Sequence, residues 1–212
     1  MLLLWVMVAM LPILLSVVVI SFSGVMAPGP MFAVTLAKSY KSPWAGTQIA
    51  LGHAVIEVPL ILLIYFGFAQ FFQNDIVRLV LSVLGSGMII WLGIGMFRAR
   101  TEVVRKGKDL PYNAFTAGIL TSAFNPFFLV WWATIGSMLI MRILDFDTRW
   151  LIVFIIVHWL CDLIWLSFIS NVIYRTHALW GQKIQEGIFI ACSLLLVGFG
   201  IWFLIWGIRE VV

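Results

Sequence analysis

The sequence predicts an all-α membrane protein: six transmembrane helices arranged as two inverted three-helix repeats, with the first helix of each repeat broken at proline. Three observations predict it. The 212 residues are 63% hydrophobic and 10% charged. Soluble domains run nearer ~45–50% apolar and ~25% charged, so one water-soluble core cannot hide this much apolar surface. Six apolar stretches reach the roughly 20 residues that a helix needs to cross about 30 Å of hydrocarbon. The same features then recur in the same order in each half of the chain.

The stretches lie at roughly 4–37, 45–72, 78–97, 114–141, 150–173 and 187–208. The first opens with MLLLWVMVAM and lacks the positively charged start of a signal peptide, so it reads as a retained span. It is too long for one straight crossing and contains Pro28-Gly29-Pro30. The fourth contains Asn125-Pro126 near its middle. Proline removes a backbone donor and clashes with the preceding turn, so both helices are expected to break or kink. A break at membrane depth survives only where it is buried in protein or faces a wet cavity.

The second and fifth stretches carry LGHAVIEVPL and IVHWLCDLIW. His53 and Glu57, like His158 and Asp162, are four residues apart, which puts both members of each pair on one helix face. The third and sixth close each half with Trp-x6-Arg, from Trp91 to Arg98 and from Trp202 to Arg209. Gly85 and Gly87 precede the first of these, Gly198 and Gly200 the second. A basic connection at 98–113, holding Arg98, Arg100, Arg105, Lys106 and Lys108, divides the halves. The chain therefore reads as one membrane domain, 1–212, with repeat 1 at about 1–98 and repeat 2 at about 114–212. Because each repeat has an odd number of spans, the second enters from the opposite side, and the site of such inverted repeats lies at the midplane between them.

The net charge of +4 sits mostly in short loops, so it speaks to orientation and not to nucleic acid. With alternating spans, one side collects Lys38, Lys41, the basic connection, Arg175 and Lys183. The other collects Arg78, Arg142, Arg149 and Arg209, offset by Asp75, Asp145, Asp147 and Glu210. The positive-inside rule makes the first side cytoplasmic and places both termini outside. Cys161 and Cys192 lie in apolar runs without CxxC spacing and read as small buried residues.

Chemistry concentrates at two places. Broken helices expose free N–H groups that attract anions and free carbonyls that attract cations, so Pro28, Gly29, Pro30, Asn125 and Pro126 are the candidate substrate-binding residues. A charged group at the bilayer centre costs at least ~2.5–3.5 kcal/mol, and this chain accepts that cost at Glu57 and Asp162. These two, with His53 and His158, are the candidates for proton coupling or for gripping a substrate ammonium group. Two histidines and two carboxylates also make an N2O2 ligand set for a divalent cation, so His53, Glu57, His158 and Asp162 form an alternative metal site. Trp131 and Trp132 read as packing or lipid-facing residues and the four glycines as close-packing or dimer-face positions. Lys38 is expected to snorkel to the interface.

With APGPMFAVTLAKSYKSPWAGTQIALGH, the third span WLGIGMFR and the Asn-Pro of the fourth span, about residues 16–209 resemble the lysine exporter (LysE/RhtB) family. The resemblance implies a small six-span exporter of amino acids or related metabolites, driven by the proton gradient and dimeric, in the cell membrane. The chain departs from it at Ala27, where members often carry Ser, at Phe127, where they commonly carry Lys, and in its paired histidines. Relatives in the same superfamily move metal cations or shuttle thiol electrons; the latter needs cysteines beside the breaks, and this chain has none there.

Three readings of function follow. The first is a secondary exporter working by alternating access without a cofactor, in contact with a small-molecule substrate and the bilayer. The second is a divalent metal transporter of the same fold. The third is a membrane enzyme or scaffold, which the absence of a placed nucleophile disfavours. No phosphate-binding loop appears, which argues against ATP-driven transport by this chain alone.

Overall fold

A bilayer tolerates a chain only when its backbone polar groups bond internally, and long runs of Leu, Ile, Val and Phe satisfy this as helices. The computed structural model describes residues 2–106 and 108–209, with side chains from residue 10 onward except Gln73. The acid Glu210, counted above on the outer side, lies outside the described residues. Among the described residues the regular structure is entirely helical. In chain order the α-helices are α1 (Leu2–Val25), α2 (Pro30–Ser39), α3 (Ala45–Tyr65), α4 (Asp75–Lys106), α5 (Ala114–Ala123), α6 (Pro126–Trp131), α7 (Ser137–Leu144), α8 (Trp150–Thr176) and α9 (Gln182–Arg209). A π-helical turn at Trp132–Gly136 joins α6 to α7. By length and composition, α3, α4, Pro126–Leu144, Trp150–Leu179 and α9 are each able to cross a membrane. The pair Met10–Val25 and Pro30–Ser39, bent by 71°, makes up to a sixth span.

Both proline-bearing stretches break where expected. Gly29 is the extended residue before α2 and Pro30 its first helical residue, where a missing N–H costs nothing. At the second break Asn125 caps α6, its side chain accepting a hydrogen bond from Phe128 N, and Pro126 again opens the helix. The ten-residue arms α2 and α5 lie on the same end of the bundle: Lys38 Nζ near the end of α2 bonds Asp109 (2.8 Å) and the Tyr112 carbonyl just before α5. Each arm is about 15 Å long, half the hydrocarbon thickness, so the two breaks sit at similar depth.

Three expectations change. Lys38 does not snorkel; it is buried, because the segment before α5 folds over it and supplies an anion and a carbonyl. The connection at 98–113 is helical through Lys106: Glu102 pairs with Lys106 one turn on (3.2 Å), and Arg105 reaches Glu186 on α9 (2.7 Å), which carries α4 beyond its apolar part. The second apolar stretch does not run to residue 72. It stops at Tyr65, before left-handed Gly67 (φ 95°) turns the chain into a short 3-10 helix at Phe68–Gln73.

The packing places α3 at the centre. A Cβ at Gly52 would overlap the Phe115 carbonyl of α5, and one at Gly118 of α5 the Ile49 carbonyl of α3. On its other side a Cβ at Gly46 would overlap the Leu166 carbonyl of α8. Backbone therefore touches backbone on both flanks of α3, as small residues allow in membrane bundles. Trp159 Nε1 adds a bond from α8 to the Ala50 carbonyl (3.0 Å), and Thr47 pairs with Ser167 (2.8 Å). Separately, α4 lies along α9, with Gly93, Gly200 and Gly207 pressed against the facing helix. Gly87 and Gly198 face open space.

The apolar interior is in two parts. One contains Ile49 and Ala50 of α3 with Leu166 and Ile173 of α8; the other contains Leu60, Ile61 and Ile64 of α3 with Leu151 and Phe154 of α8. Residues 53–57 and 158–162 fall between them on both helices. That interval holds the polar groups.

Candidate functional site

On α3, His53 and Glu57 stand one turn apart; on α8, His158 and Asp162 do the same, and the two faces meet. Glu57 Oε1 lies 2.9 Å from His53 Nε2 and 3.1 Å from His158 Nε2. Asp162 Oδ2 lies 3.9 Å and 3.7 Å from the same two nitrogens. All four side chains are buried, Glu57 to 1% and Asp162 to 4% exposure. The sequence placed the four on two helix faces; the fold makes them one cluster.

The far nitrogens of the rings fix how they donate. His53 Nδ1 is 2.6 Å from Ser122 Oγ, and His158 Nδ1 is 2.6 Å from Ser21 Oγ. Each hydroxyl gives its own proton to a helix carbonyl four residues back, Ser122 to Gly118 (2.7 Å) and Ser21 to Val17 (2.6 Å). A hydroxyl that has spent its proton can only accept, so each Nδ1 is a donor. With Glu57 ionised, each Nε2 then also donates to Oε1. Both rings are double donors, and two carboxylates balance two imidazolium groups. This balance lets the cluster exist in an apolar interior, where an unmatched charge is far costlier.

Ser122→Ala should leave the Nδ1–H of His53 without an acceptor, a loss of about 1–3 kcal/mol for a buried donor. Thermal unfolding of detergent-purified protein should show a lower midpoint for Ser122→Ala, and likewise for Ser21→Ala at His158. Midpoints unchanged from wild type in both variants would mean the rings are not held this way.

Aromatic rings brace the cluster. Phe128 stands against His53 (5.0 Å between centroids); Trp131, Trp132 and Phe154 surround His158 at 5.9, 4.9 and 6.0 Å. Trp132 is fully buried and occupies the start of the π-helical turn. A Cβ at Gly136 would collide with its ring, so the turn and the glycine together set that indole beside His158. Such turns recur at functional sites because they re-aim one side chain without ending the helix.

A cavity of about 310 Å³ opens onto the cluster. His53, Glu57, His158 and Asp162 line it, as do Pro28, Gly29, Pro30 and Asn125. Of the nine expected site residues, Pro126 does not: its ring packs where a Cβ at Gly85 would meet it. Sequence reasoning missed Ser21 and Ser122, whose types are common in helices, and also the α9 wall of Phe199, Trp202 and Phe203. It also gave Trp131 and Trp132 no site role, although both line the cavity. Their position directly after the Asn-Pro break was the one available signal.

The set His53, Glu57 and Asp162 offers ligand atoms within 4.8 Å of one another, a spacing able to hold a metal ion. Cys161 donates its thiol to the Val157 carbonyl (3.3 Å).

Comparison with known proteins agrees with the membrane fold. No solved structure matches the chain. YcgF of Bacillus subtilis (strain 168), which carries the name of an amino acid efflux protein, is 26% identical over 204 residues, covering 93% of this chain and 98% of its own length. ChpE of Pseudomonas aeruginosa, named a chemotactic transduction protein, is 28% identical over 138 residues, 61% of this chain and 66% of its own. The family described as LysE type translocator matches residues 22–207, nearly the whole of the bent-helix bundle that holds the cluster and its cavity. The chain belongs to the LysE type translocator family.

Proposed function

We propose that this protein is a proton-coupled secondary exporter of amino acids or related small metabolites, and not an enzyme. One observation carries the reading. Two helices each contribute a histidine and a carboxylate to one buried cluster, and that cluster forms the wall of a cavity onto which two helix breaks open. Glu57 joins both histidines, so a proton gained or lost at any one member changes the balance of all four. A cationic group arriving from the cavity finds the same carboxylates. Proton and substrate therefore compete for one site, which is the requirement for antiport. Movement follows alternating access, with two inverted repeats, about 1–98 and 114–212, rocking around a midplane site. The membrane is the plasma membrane, with the end bearing Lys38, Lys41 and the α4–α5 connection in the cytoplasm and both termini outside. The working form is a homodimer.

The name of the Bacillus subtilis relative supports amino acids as cargo. In proteoliposomes under an imposed pH gradient, the wild-type protein should accumulate an amino acid against its gradient. Glu57→Gln and Asp162→Asn should each lower that rate by about 100-fold, the equivalent of about 3 kcal/mol of lost charge interaction. Uptake at the wild-type rate in either variant removes the coupling assignment.

A second reading, a divalent metal ion as cargo, rests on the ligand geometry. His53, Glu57 and Asp162 bring ligand atoms within 4.8 Å of one another, and His158 Nε2 stands 3.1 Å from Glu57 Oε1 and 3.7 Å from Asp162 Oδ2, outside that set of three. On that reading Zn2+ raises the unfolding temperature of the wild type and has no effect on His53→Ala or His158→Ala. A wild type indifferent to Zn2+ and Mn2+ eliminates it.

A further inference from the structure

The cavity's walls are segregated by chemistry, and the segregation describes a cargo. One wall is acidic. Glu57 Oε2 and Asp162 Oδ2 are buried and have no hydrogen-bond partner among the described residues; Glu57 bonds both histidines through Oε1 alone, and Asp162 Oδ2 comes no nearer to them than 3.7 Å. A buried polar atom left unpaired asks for a missing partner. For two carboxylate oxygens that partner is a cationic donor with several N–H groups, which an ammonium supplies.

A second feature offers the opposite sign. Met31 and Phe32, the second and third residues of α2, line the same cavity. Their N–H groups have no intrahelical acceptor, since the first helical bond runs from Ala33 N to the Gly29 carbonyl. The residue before the helix is Gly29, which has no side chain with which to cap them. The other break is different: Asn125 satisfies its own helix start through Phe128 N. One helix start at the cavity is thus closed by a side chain, and the other has no side-chain cap among the described residues, which leaves the positive end of its dipole beside the cavity. Gly29 is not required by space or strain. Its backbone is extended (φ −149°), and an added Cβ would meet only the Ala27 carbonyl, at 3.8 Å. What glycine does there is leave the helix start open.

The remaining surface is apolar. Phe128, Trp131, Trp132, Phe199, Trp202 and Phe203 form it, and no Lys or Arg lines the cavity among the described residues. A volume of about 310 Å³ is at the small end for ligand pockets of ~300–1,000 Å³, and fits a single small molecule.

We propose that the cargo is a zwitterionic amino acid with a large apolar side chain, its ammonium on Glu57 Oε2 and Asp162 Oδ2, its carboxylate on the open start of α2, and its side chain against the aromatic wall. This rests on the exporter reading and narrows it. A dibasic amino acid presses a second cation into a wall with no second anion. An acidic one presses a carboxylate into the same wall, whose neighbouring imidazolium groups are already bonded to Glu57. An apolar side chain gains there, and burying one the size of leucine or phenylalanine is worth about 10- to 100-fold in affinity.

Competition for transport in proteoliposomes, backed by thermal stabilisation of the purified protein, tests this with leucine, phenylalanine, lysine, glutamate and phenethylamine. Leucine and phenylalanine should bind at least about tenfold more tightly than lysine or glutamate. Phenethylamine, which is phenylalanine without its carboxylate, should bind about tenfold more weakly than phenylalanine. Gly29→Asp places a carboxylate at the helix start as an internal cap. It should weaken phenylalanine without weakening phenethylamine, which has no carboxylate to displace, so that the difference between them closes. Gly29→Ser, a milder cap, should close it in part.

Lysine or glutamate handled as well as leucine overturns the inference and leaves the exporter standing. Equal weakening of phenylalanine and phenethylamine by Gly29→Asp overturns the placement of the carboxylate. An absence of transport for every amino acid removes both the inference and the exporter reading.

Discussion

Valine at Gly52 or Gly118 should leave little folded protein, while valine at Gly87 should be tolerated. The first two glycines form a reciprocal contact in which α3 and α5 meet backbone to backbone, so a side chain at either must displace a helix and cannot simply turn aside. Overpacking a well-filled interior costs typically ~1–3 kcal/mol, and a clash with carbonyl groups belongs at or above the upper end. The α3 helix also cannot retreat toward α8, because Gly46 already lies against the Leu166 carbonyl. A shift of α3 moves His53 from Ser122 and Glu57 from His158, so transport should suffer even where alanine in place of valine leaves the fold standing. Gly87 faces open space and serves as the control. The measurement is yield and unfolding temperature in detergent. If Gly52→Val and Gly118→Val melt with the wild type, the close crossing of α3 and α5 is wrong.

Removing one member of the polar cluster should be far worse for stability than removing all four. Glu57→Ala takes away the acceptor shared by His53 and His158 and leaves two cationic rings beside Asp162 alone. Breaking a buried ion pair from one side costs about 3–5 kcal/mol, because the partner remains charged and desolvated. The fourfold variant His53→Leu, Glu57→Met, His158→Leu, Asp162→Leu removes every charge at once. Its stability should equal or exceed the wild type, as replacement of whole buried ion clusters by apolar residues is neutral or stabilising by about 1–4 kcal/mol. It should transport nothing. A fourfold variant that fails to fold would show that the cluster is there for structure, and the exporter mechanism built on it would lose its main support.

These two expectations divide along what could be read before any coordinates. The breaks were legible because Pro30 and Pro126 follow Gly29 and Asn125, residues suited to precede a helix, whereas Pro12 and Pro59 stand inside α1 and α3. The pairing within each His-x3-carboxylate was legible too, since one helical turn spans four residues. That the two pairs meet was not legible. It depends on α3 and α8 crossing at one height, which Gly46 and the Trp159–Ala50 bond arrange.

The ends of elements were read less well than their centres. Hydropathy alone does not show that α4 continues through Arg98–Lys106, because that segment is polar and held by pairs with Glu102 and Glu186. Lys38 misled for a related reason. Its ordinary partner is water at the interface, but Asp109 and the Tyr112 carbonyl lie 71 and 74 residues away in sequence. The serines behind the histidines are likewise distant, Ser122 by 69 residues and Ser21 by 137.

By itself the sequence determined that this chain lives in a membrane, that its helices break at Pro28–Pro30 and Asn125-Pro126, and which four ionisable side chains a bilayer would make expensive. Each follows from local chemistry: transfer cost, proline geometry and helical spacing. Only the tertiary structure decided that the four groups form one charge-balanced cluster, that Pro126 faces away while Trp131 and Trp132 face in, and that one helix start in the cavity is capped and the other open. Those depend on which backbones can touch. In this protein contact is set by glycines whose partners lie in other helices, and sequence spacing carries no record of them.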